Sequence, residues 1–191
     1  MKYNTRKMGV FPERQMTATQ SSSSKPILET ERLRLREFNL NDTAFIIELL
    51  NSPGWIQFIG DRNIKTEEQA KSYLKNGPLK SYADNGFGLS CVERKADGKS
   101  IGMCGIIKRA NLNTPDIGFA FLPEYNGKGY AYEISIATLN YAIDKLHIPK
   151  IAAITLPANT RSILLLEKIG LRYVKDFSFP NSEEVLLLYS N

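Results

Sequence analysis

The fold of this chain is decided by the stretch DIGFAFLPEYNGKGYAYE, residues 116–133 of 191. Its opening part is rich in apolar side chains and stops at Pro123, which predicts a strand over residues 116–122. Over residues 131–146, apolar side chains recur at helical spacing and predict a helix. The turn NGKG at residues 126–129 separates the two. A glycine-rich turn that opens a helix presents unpaired backbone N–H groups and the positive end of the helix dipole, so this turn is predicted to bind a phosphate group.

Two well-known phosphate-binding motifs do not fit the turn. A Walker A loop requires Ser or Thr after its Gly-Lys pair, whereas Lys128 is followed by Gly129. A dinucleotide-binding fingerprint requires a third glycine or alanine three positions after the second, where this chain has Tyr132. The predicted phosphate site therefore belongs to neither class.

The chain before this stretch is predicted to contribute a strand, two helices and a hairpin. Residues 33–36 alternate apolar and basic side chains, as in a half-exposed strand. A helix over residues 41–50 has Asn41 as its N-cap, and Thr66 opens a second helix with a capping box. Residues 55–64, between these helices, mix aromatic and polar side chains and are predicted to form a loop.

The remaining elements complete a mixture of helices and strands. Further strands are predicted over residues 87–94, 100–108, 151–156, 171–174 and 185–189. The Asp97-Gly98 pair between the first two predicts a hairpin, and Asn159 is the predicted N-cap of a helix closed by Gly170. The order of elements indicates an α/β fold with antiparallel hairpins and one helical crossover.

Composition limits the classes of protein to consider. The chain is 42% hydrophobic and 24% charged, as expected of a globular protein with a core, and no apolar run approaches the length of a membrane span. A single histidine, His147, argues against multi-histidine metal sites, so no metal is expected. Cys91 and Cys104 cannot form a disulfide framework; they are expected to be reduced, buried neighbours across the hairpin. We expect a cytoplasmic protein.

The positive net charge belongs mainly to the N-terminal residues. The chain carries a net charge of +5, and residues 1–25 hold five basic side chains and one acidic one. A nucleic-acid-binding domain needs its basic patch on the folded body, so this distribution argues against nucleic acid as a partner. Residues 1–25 include a serine run and lack periodic apolar residues, and are predicted to be a disordered, basic tail. The folded domain is expected to span residues 26–191.

Three segments together resemble the motifs of GNAT-type N-acetyltransferases. Residues 30–36, TERLRLR, resemble the opening strand of the family. Residues 116–133 are similar to its acetyl-CoA motif, and residues 159–162, NTRS, with residues 166–171, LEKIGL, resemble its second cofactor motif. The resemblance covers about residues 27–189. Within the family, it is to the branch that acetylates the N-termini of ribosomal proteins.

The resemblance implies an acetyl-CoA-dependent enzyme with a GNAT-like α/β (α+β) fold. Its sheet should be mixed, mostly antiparallel, of six to seven strands, and flanked by helices. The strands at residues 116–122 and 151–156 should splay apart around the pantetheine arm, with the pyrophosphate on the turn. The implied cofactor-binding residues are Phe119, Ala120, Phe121, Leu122, Asn126, Gly127, Lys128, Gly129, Tyr130, Ala131, Asn159 and Ser162.

The resemblance also implies two catalytic residues, Asp116 and Ser162. Asp116 stands where the branch usually has a glutamate that draws the proton of the amine through water. Many members have a tyrosine that protonates the thiolate, but this chain has Leu166 there, so Ser162 is the alternative proton donor. A further departure is Glu124, where the family usually has glutamine or arginine.

The acceptor is expected to be an amine that attacks acetyl-CoA directly in a ternary complex. At pH 7 an α-amine costs about 1 kcal/mol to deprotonate, whereas a lysine side chain costs roughly 4.6 kcal/mol. A protein or peptide N-terminus is therefore the leading acceptor for a site without a strong base. The alternatives are a small-molecule amine, or a GNAT-like module that binds acetyl-CoA without catalysis. Either a monomer or a homodimer fits the sequence.

Overall fold

The computed structural model describes residues 26–180 and 182–191. The predicted tail, residues 1–25, lies outside the described residues. The strands are β1 (Leu28–Glu29), β2 (Leu33–Arg36), β3 (Leu89–Arg94), β4 (Lys99–Ile107), β5 (Asp116–Phe121), β6 (Ala152–Thr155), β7 (Arg172–Phe177) and β8 (Leu186–Ser190). The helices are α1 (Thr43–Leu50), α2 (Pro53–Phe58), α3 (Glu67–Leu74), α4 (Lys80–Asn85), α5 (Tyr130–Asp144) and α6 (Thr160–Lys168). A π-helical turn, Lys75–Leu79, joins α3 to α4, and a 3-10 turn, Pro123–Tyr125, follows β5.

The strands form one sheet in the order β1-β2-β3-β4-β5-β6-β8-β7, in which β5 and β6 are parallel and every other pair is antiparallel. This confirms a mixed, mostly antiparallel sheet, but its eight strands correct the expected six to seven. The additional strand is β1, which pairs Leu28 with Leu35 and Glu29 with Arg34. Two residues are too few to show an alternating pattern, so the sequence could not reveal this strand.

The region after α1 also differs from the prediction, because Trp55 belongs to a helix and not to a loop. Pro53 occupies the first turn of α2, after Ser52 in an extended conformation. Proline is well suited to this position because its φ is already helical and the missing N–H would have no partner there. Trp55 is then buried in the core.

The hairpin of β3 and β4 forms around Asp97-Gly98, but its register differs from the one expected. Arg94 pairs with Lys99, and the register shifts once more beyond Glu93, so that Cys91 faces Met103 and Ser90 faces Cys104. Neighbouring positions on a strand point to opposite faces, so the two thiols are not neighbours. Both are free and buried, and burial raises the pKa of Cys91 to about 12 and that of Cys104 to about 11.

Helices cover both faces of the sheet. On one face, α5 packs against β4 and β5, and the Cys104 thiol contacts Thr138 of α5 at 3.5 Å. On the other face, a buried ion cluster ties α1 to the sheet. Arg36 of β2 donates to both carboxylate oxygens of Asp42 at 2.8 and 2.9 Å and to Glu93 at 2.7 Å. Asp42, rather than the predicted Asn41, precedes α1 directly, and its carboxylate binds Arg36 instead of capping the helix.

Two absences concern only the part of the chain that the structure describes. Within it, no helix has both the length and the apolar character needed to span a bilayer. Within the same residues, no three or more His, Cys, Asp and Glu side chains come together in a group that could hold a metal ion.

Candidate functional site

The parallel strands β5 and β6 open a wedge in the sheet. They register at a single position, where Asp116 faces Ala152 and the Ala152 N–H donates to the Pro115 carbonyl at 2.9 Å. Since the rest of β5 has no registered partner in β6 among the described residues, the strands diverge from this closed end. The wedge matches the splay that the family resemblance implied for these two strands.

The N–H groups of alternate residues of β5 point into this wedge. The Leu122 N–H donates to the Ile101 carbonyl of β4 at 3.0 Å. Because N–H groups alternate between the two edges of a strand, those of Phe119 and Phe121 point toward β6, where registered pairing has ended. The Leu122 carbonyl accepts from Tyr125, so the backbone of Leu122 is already engaged. By the same alternation, the N–H of Ala120 points toward β4. Of the predicted residues 119–122, only Phe119 and Phe121 direct N–H groups to the wedge.

The turn after β5 forms a row of free backbone donors. Gly127 and Gly129 have φ angles of 73° and 81°, in the left-handed region that glycine adopts without strain. The first hydrogen bond of α5 runs from the Glu133 N–H to the Gly129 carbonyl at 3.0 Å. The N–H groups of residues 127–132 donate no hydrogen bond to any described residue. Six successive free donors at a helix N-terminus form an anion site, which includes the predicted residues 127–131. The predicted Asn126 is not one of these donors, because its N–H donates to the Pro123 carbonyl at 3.1 Å.

Three cations surround the aromatic side chains of this turn. The Arg32 guanidinium lies 4.6 Å from the centre of the Tyr130 ring, and that of Arg94 lies 5.1 Å from the centre of the Tyr125 ring. The Lys128 ammonium lies 5.6 Å from the same Tyr125 ring. These cations add positive potential to the free N–H groups. Sequence reasoning missed Arg32 and Arg94 because both lie far from the turn along the chain, Arg32 just before β2 and Arg94 at the end of β3.

The second motif lies at the same edge of the sheet as the turn. The Asn159 side-chain oxygen accepts from the Ser162 N–H at 3.2 Å, as in the predicted N-cap of α6. Because α6 follows the carboxyl end of β6, its first turn lies at the open edge of the wedge, as the turn after β5 does. Leu166, one turn further along α6, is buried in the core and has no proton to donate.

The two predicted catalytic residues are not brought together. Ser162 lies at the open edge of the wedge, whereas Asp116 is the first residue of β5, at the closed end. Both Asp116 carboxylate oxygens lie 3.0 Å from Arg109 Nε, and the residue is only 1% exposed. Burial raises the pKa of Asp116, and the nearby guanidinium of Arg109 opposes this rise without cancelling it.

Arg109 is a residue of the site that sequence reasoning missed. It lies in the connection from β4 to β5, where the pairing of Ile107 with Asp116 folds the chain back. Its side chain is partly exposed, and its two Nη groups make no hydrogen bond to any described residue. The sequence contains only a weak signal for Arg109, which is a basic residue shortly before a strand that begins with an acidic one.

Comparison with known proteins finds one family and close relatives. Residues 32–172 match the family described as acetyltransferase (GNAT) domain. The chain is 32% identical to YkkB of Bacillus subtilis over 156 residues, which cover 80% of this chain and 89% of YkkB. It is 31% identical to the N-acetyltransferase YnaD of Bacillus subtilis over 145 residues, covering 76% of this chain and 82% of YnaD. A crystal structure of a GNAT-family acetyltransferase from Bacillus anthracis superposes with a TM-score of 0.71 at 26% identity, covering 85% of this chain and 96% of that one.

Proposed function

This chain belongs to the GNAT acetyltransferase family, and we propose that it acetylates a protein or peptide N-terminal α-amine by direct attack in a ternary complex. Membership makes the protein an N-acetyltransferase, and GNAT acetyltransferases use acetyl-CoA. The observation that carries the proposal is the joining of the β5–β6 wedge to the free donors of residues 127–132. The pantetheine arm, which carries the thioester, fits the wedge, and the pyrophosphate fits the row of free donors.

The backbone would bind and polarise the acetyl donor, which supplies its acetyl group as a thioester. The N–H groups of residues 127–132 would hold the phosphates at the N-terminus of α5. The N–H groups of Phe119 and Phe121, directed into the wedge, would donate to the thioester carbonyl oxygen as negative charge develops on it during the attack. These donors are fixed by the strand and need no rearrangement at that moment.

Proton transfer is assigned to Asp116 and Ser162. Because Asp116 is buried against Arg109, we propose that its carboxylate receives the proton of the amine through a water molecule and not by direct contact. Ser162 would relay a proton to the departing thiolate through its hydroxyl. An ordinary thiol has a pKa of about 8.5, so the thiolate is a tolerable leaving group even without a strong acid.

We choose an α-amine as the acceptor because Asp116 and Ser162 provide neither a strong base nor a strong acid. An α-amine needs much less help to lose its proton at neutral pH than a lysine side chain does. The alternative with an observation in its favour is an acetyl-CoA-binding module without turnover, since the buried Leu166 replaces a proton-donating tyrosine. A small-molecule amine acceptor is the remaining alternative.

Calorimetric titration with acetyl-CoA, followed by a thiol-release assay, separates these candidates. The assay panel contains peptides with free N-termini, the same peptides with blocked N-termini, polyamines and amino sugars. We expect binding of acetyl-CoA and thiol release only with free N-termini. Binding without release for any amine would identify the non-catalytic module, and release only with polyamines or amino sugars would overturn the proposed acceptor.

A further inference from the structure

The opening motif of the domain contacts the coenzyme turn through Glu133. This residue lies in the first turn of α5, and its Oε1 accepts from the Thr30 hydroxyl at 2.6 Å and from the Arg32 N–H at 2.9 Å. Its Oε2 accepts from Arg32 Nε at 2.6 Å. One carboxylate of the helix is thus held by three donors from the segment between β1 and β2, about a hundred residues away along the chain.

Arg32 binds the turn itself as well as the helix. Its Nη1 donates to the Lys128 carbonyl at 3.0 Å, while its guanidinium covers the ring of Tyr130. In a trans peptide the C=O and N–H groups point in opposite directions. Fixing the Lys128 carbonyl toward Arg32 therefore directs the Gly129 N–H, which is one of the free donors, away from Arg32.

Glu133 places a negative charge in the first turn of α5, directly after the free donors. Partial burial would raise the pKa of Glu133, but the hydrogen bonds from Thr30 and from the Arg32 backbone and side chain outweigh it and lower this pKa, so the carboxylate stays ionised. A carboxylate in the first turn is stabilised by the positive end of the helix dipole, but it repels an anion bound at the same N-terminus. The guanidinium of Arg32 neutralises that repulsion.

We propose that Arg32 is a positioning residue of the acetyl-CoA site: it orients the Lys128–Gly129 peptide and cancels the charge of Glu133, so that residues 127–132 receive the pyrophosphate. Arg32 acts through the turn and not as a phosphate ligand. The inference rests on the proposed binding of acetyl-CoA at this turn. It gives the opening motif TERLRLR a function in coenzyme binding.

The test is calorimetric titration of acetyl-CoA into the wild type and five variants of the full chain. Arg32→Gln should weaken binding at least tenfold, because Glu133 becomes an unpaired negative charge and the Lys128 carbonyl is released. Glu133→Gln keeps an acceptor oxygen for Thr30 and Arg32 and should stay within threefold of wild type. The double variant removes both charges and should bind at least threefold more tightly than Arg32→Gln, a rescue that a merely structural role of Arg32 would not give.

The fourth variant, Arg34→Gln, is the matched control. Arg34 lies two residues further along, on β2, with a similarly exposed side chain, 36% against 43% for Arg32, and pairs with Glu29 and Glu93 and not with the turn. Its loss removes the same charge and should leave the affinity within twofold of wild type. The fifth variant, Arg32→Lys, guards against misfolding of the glutamine variant. One ammonium group cannot reproduce both guanidinium contacts, so Arg32→Lys should weaken binding three- to tenfold.

Three results would overturn the inference: unchanged affinity in Arg32→Gln, unchanged affinity in Arg32→Lys, or a double variant no better than Arg32→Gln. A wild-type protein that does not bind acetyl-CoA would instead refute the proposed function. The two failures are therefore distinguishable in one set of titrations.

Discussion

The carboxylate of Asp116 shows how a single residue sets the chemistry proposed for this site. It is buried at the closed end of the wedge and paired with Arg109 Nε. Burial raises the pKa of this carboxyl group, and Arg109 acts in the opposite direction. A general base works only when deprotonated, so activity should be lost as the pH falls through this raised pKa, at a higher pH than for an exposed aspartate.

Asp116→Asn should lower turnover about 10²–10⁴-fold, since the amide has a similar shape but cannot accept the proton. Ser162→Ala should cost less, because a thiolate leaves without strong assistance. Neither change should alter the affinity for acetyl-CoA much, and steady-state kinetics with calorimetry would check both points. Full turnover of Asp116→Asn between about pH 6 and pH 9 would mean that the amine arrives already neutral and that Asp116 is not the base.

Arg109→Gln should move the acidic limb of the pH profile of kcat/KM to higher pH. Without the guanidinium, the effect of burial on Asp116 is opposed less and its pKa rises further. Arg109→Lys keeps a positive charge and should shift the limb less. Profiles of the three proteins on one acceptor would measure the effect, and coincident acidic limbs in all three would exclude an electrostatic role for Arg109.

At the scale of elements, the turn between β5 and α5 depends on left-handed backbone at Gly127. Gly127→Ala should strain the turn by about 1 kcal/mol and weaken acetyl-CoA binding, because the free N–H groups are displaced. Gly98→Ala is the matched control: Gly98 has a φ of 69° in the hairpin turn and, as at Gly127, no atom within 4 Å of an added Cβ. Both variants should lose similar thermal stability, but only Gly127→Ala should lose affinity. Equal affinities would remove the turn from the binding site.

On the face of the sheet opposite α5, the ion cluster of Arg36 with Asp42 and Glu93 ties α1 to the sheet. Arg36→Met should destabilise the fold by about 3–5 kcal/mol, since it leaves the buried carboxylate of Asp42 without its cation and removes the nearer of two cations from the half-buried Glu93. Denaturant unfolding would measure this loss, with Lys80→Gln, whose ion pair with Asp84 is exposed, as a control that should change little. A loss for Arg36→Met no larger than that of the control would show that water already solvates the cluster.

For the whole molecule, the sequence predicted the order of the main elements because their signals are local. The capping box at Thr66, the Asp97-Gly98 turn and the cap at Asn159 all lie where the sequence placed them. Local patterns could not predict the register of β3 and β4, since the irregularity beyond Glu93 depends on packing across strands. They also could not predict the contacts of Arg32 with Glu133 and of Arg109 with Asp116, which exist only after the sheet has formed.

Deleting residues 1–25 should leave the midpoint of thermal unfolding and the affinity for acetyl-CoA unchanged. That segment has no periodic apolar face to bury against the domain, and its composition is typical of a solvated tail. Differential scanning calorimetry and titration of the truncated protein would test this. A large fall in the unfolding midpoint would mean that the segment packs on the domain.

The most direct test of the account is to locate the acetyl group on a peptide that offers both kinds of amine. The peptide carries a free N-terminus and an internal lysine, and is incubated with the protein and acetyl-CoA at about pH 7, where the α-amine loses its proton far more readily. Tandem mass spectrometry of the product should place the acetyl group on the N-terminal nitrogen, and the same peptide with a blocked N-terminus should remain unmodified. Acetylation of the lysine side chain, or of the blocked peptide, would contradict the account.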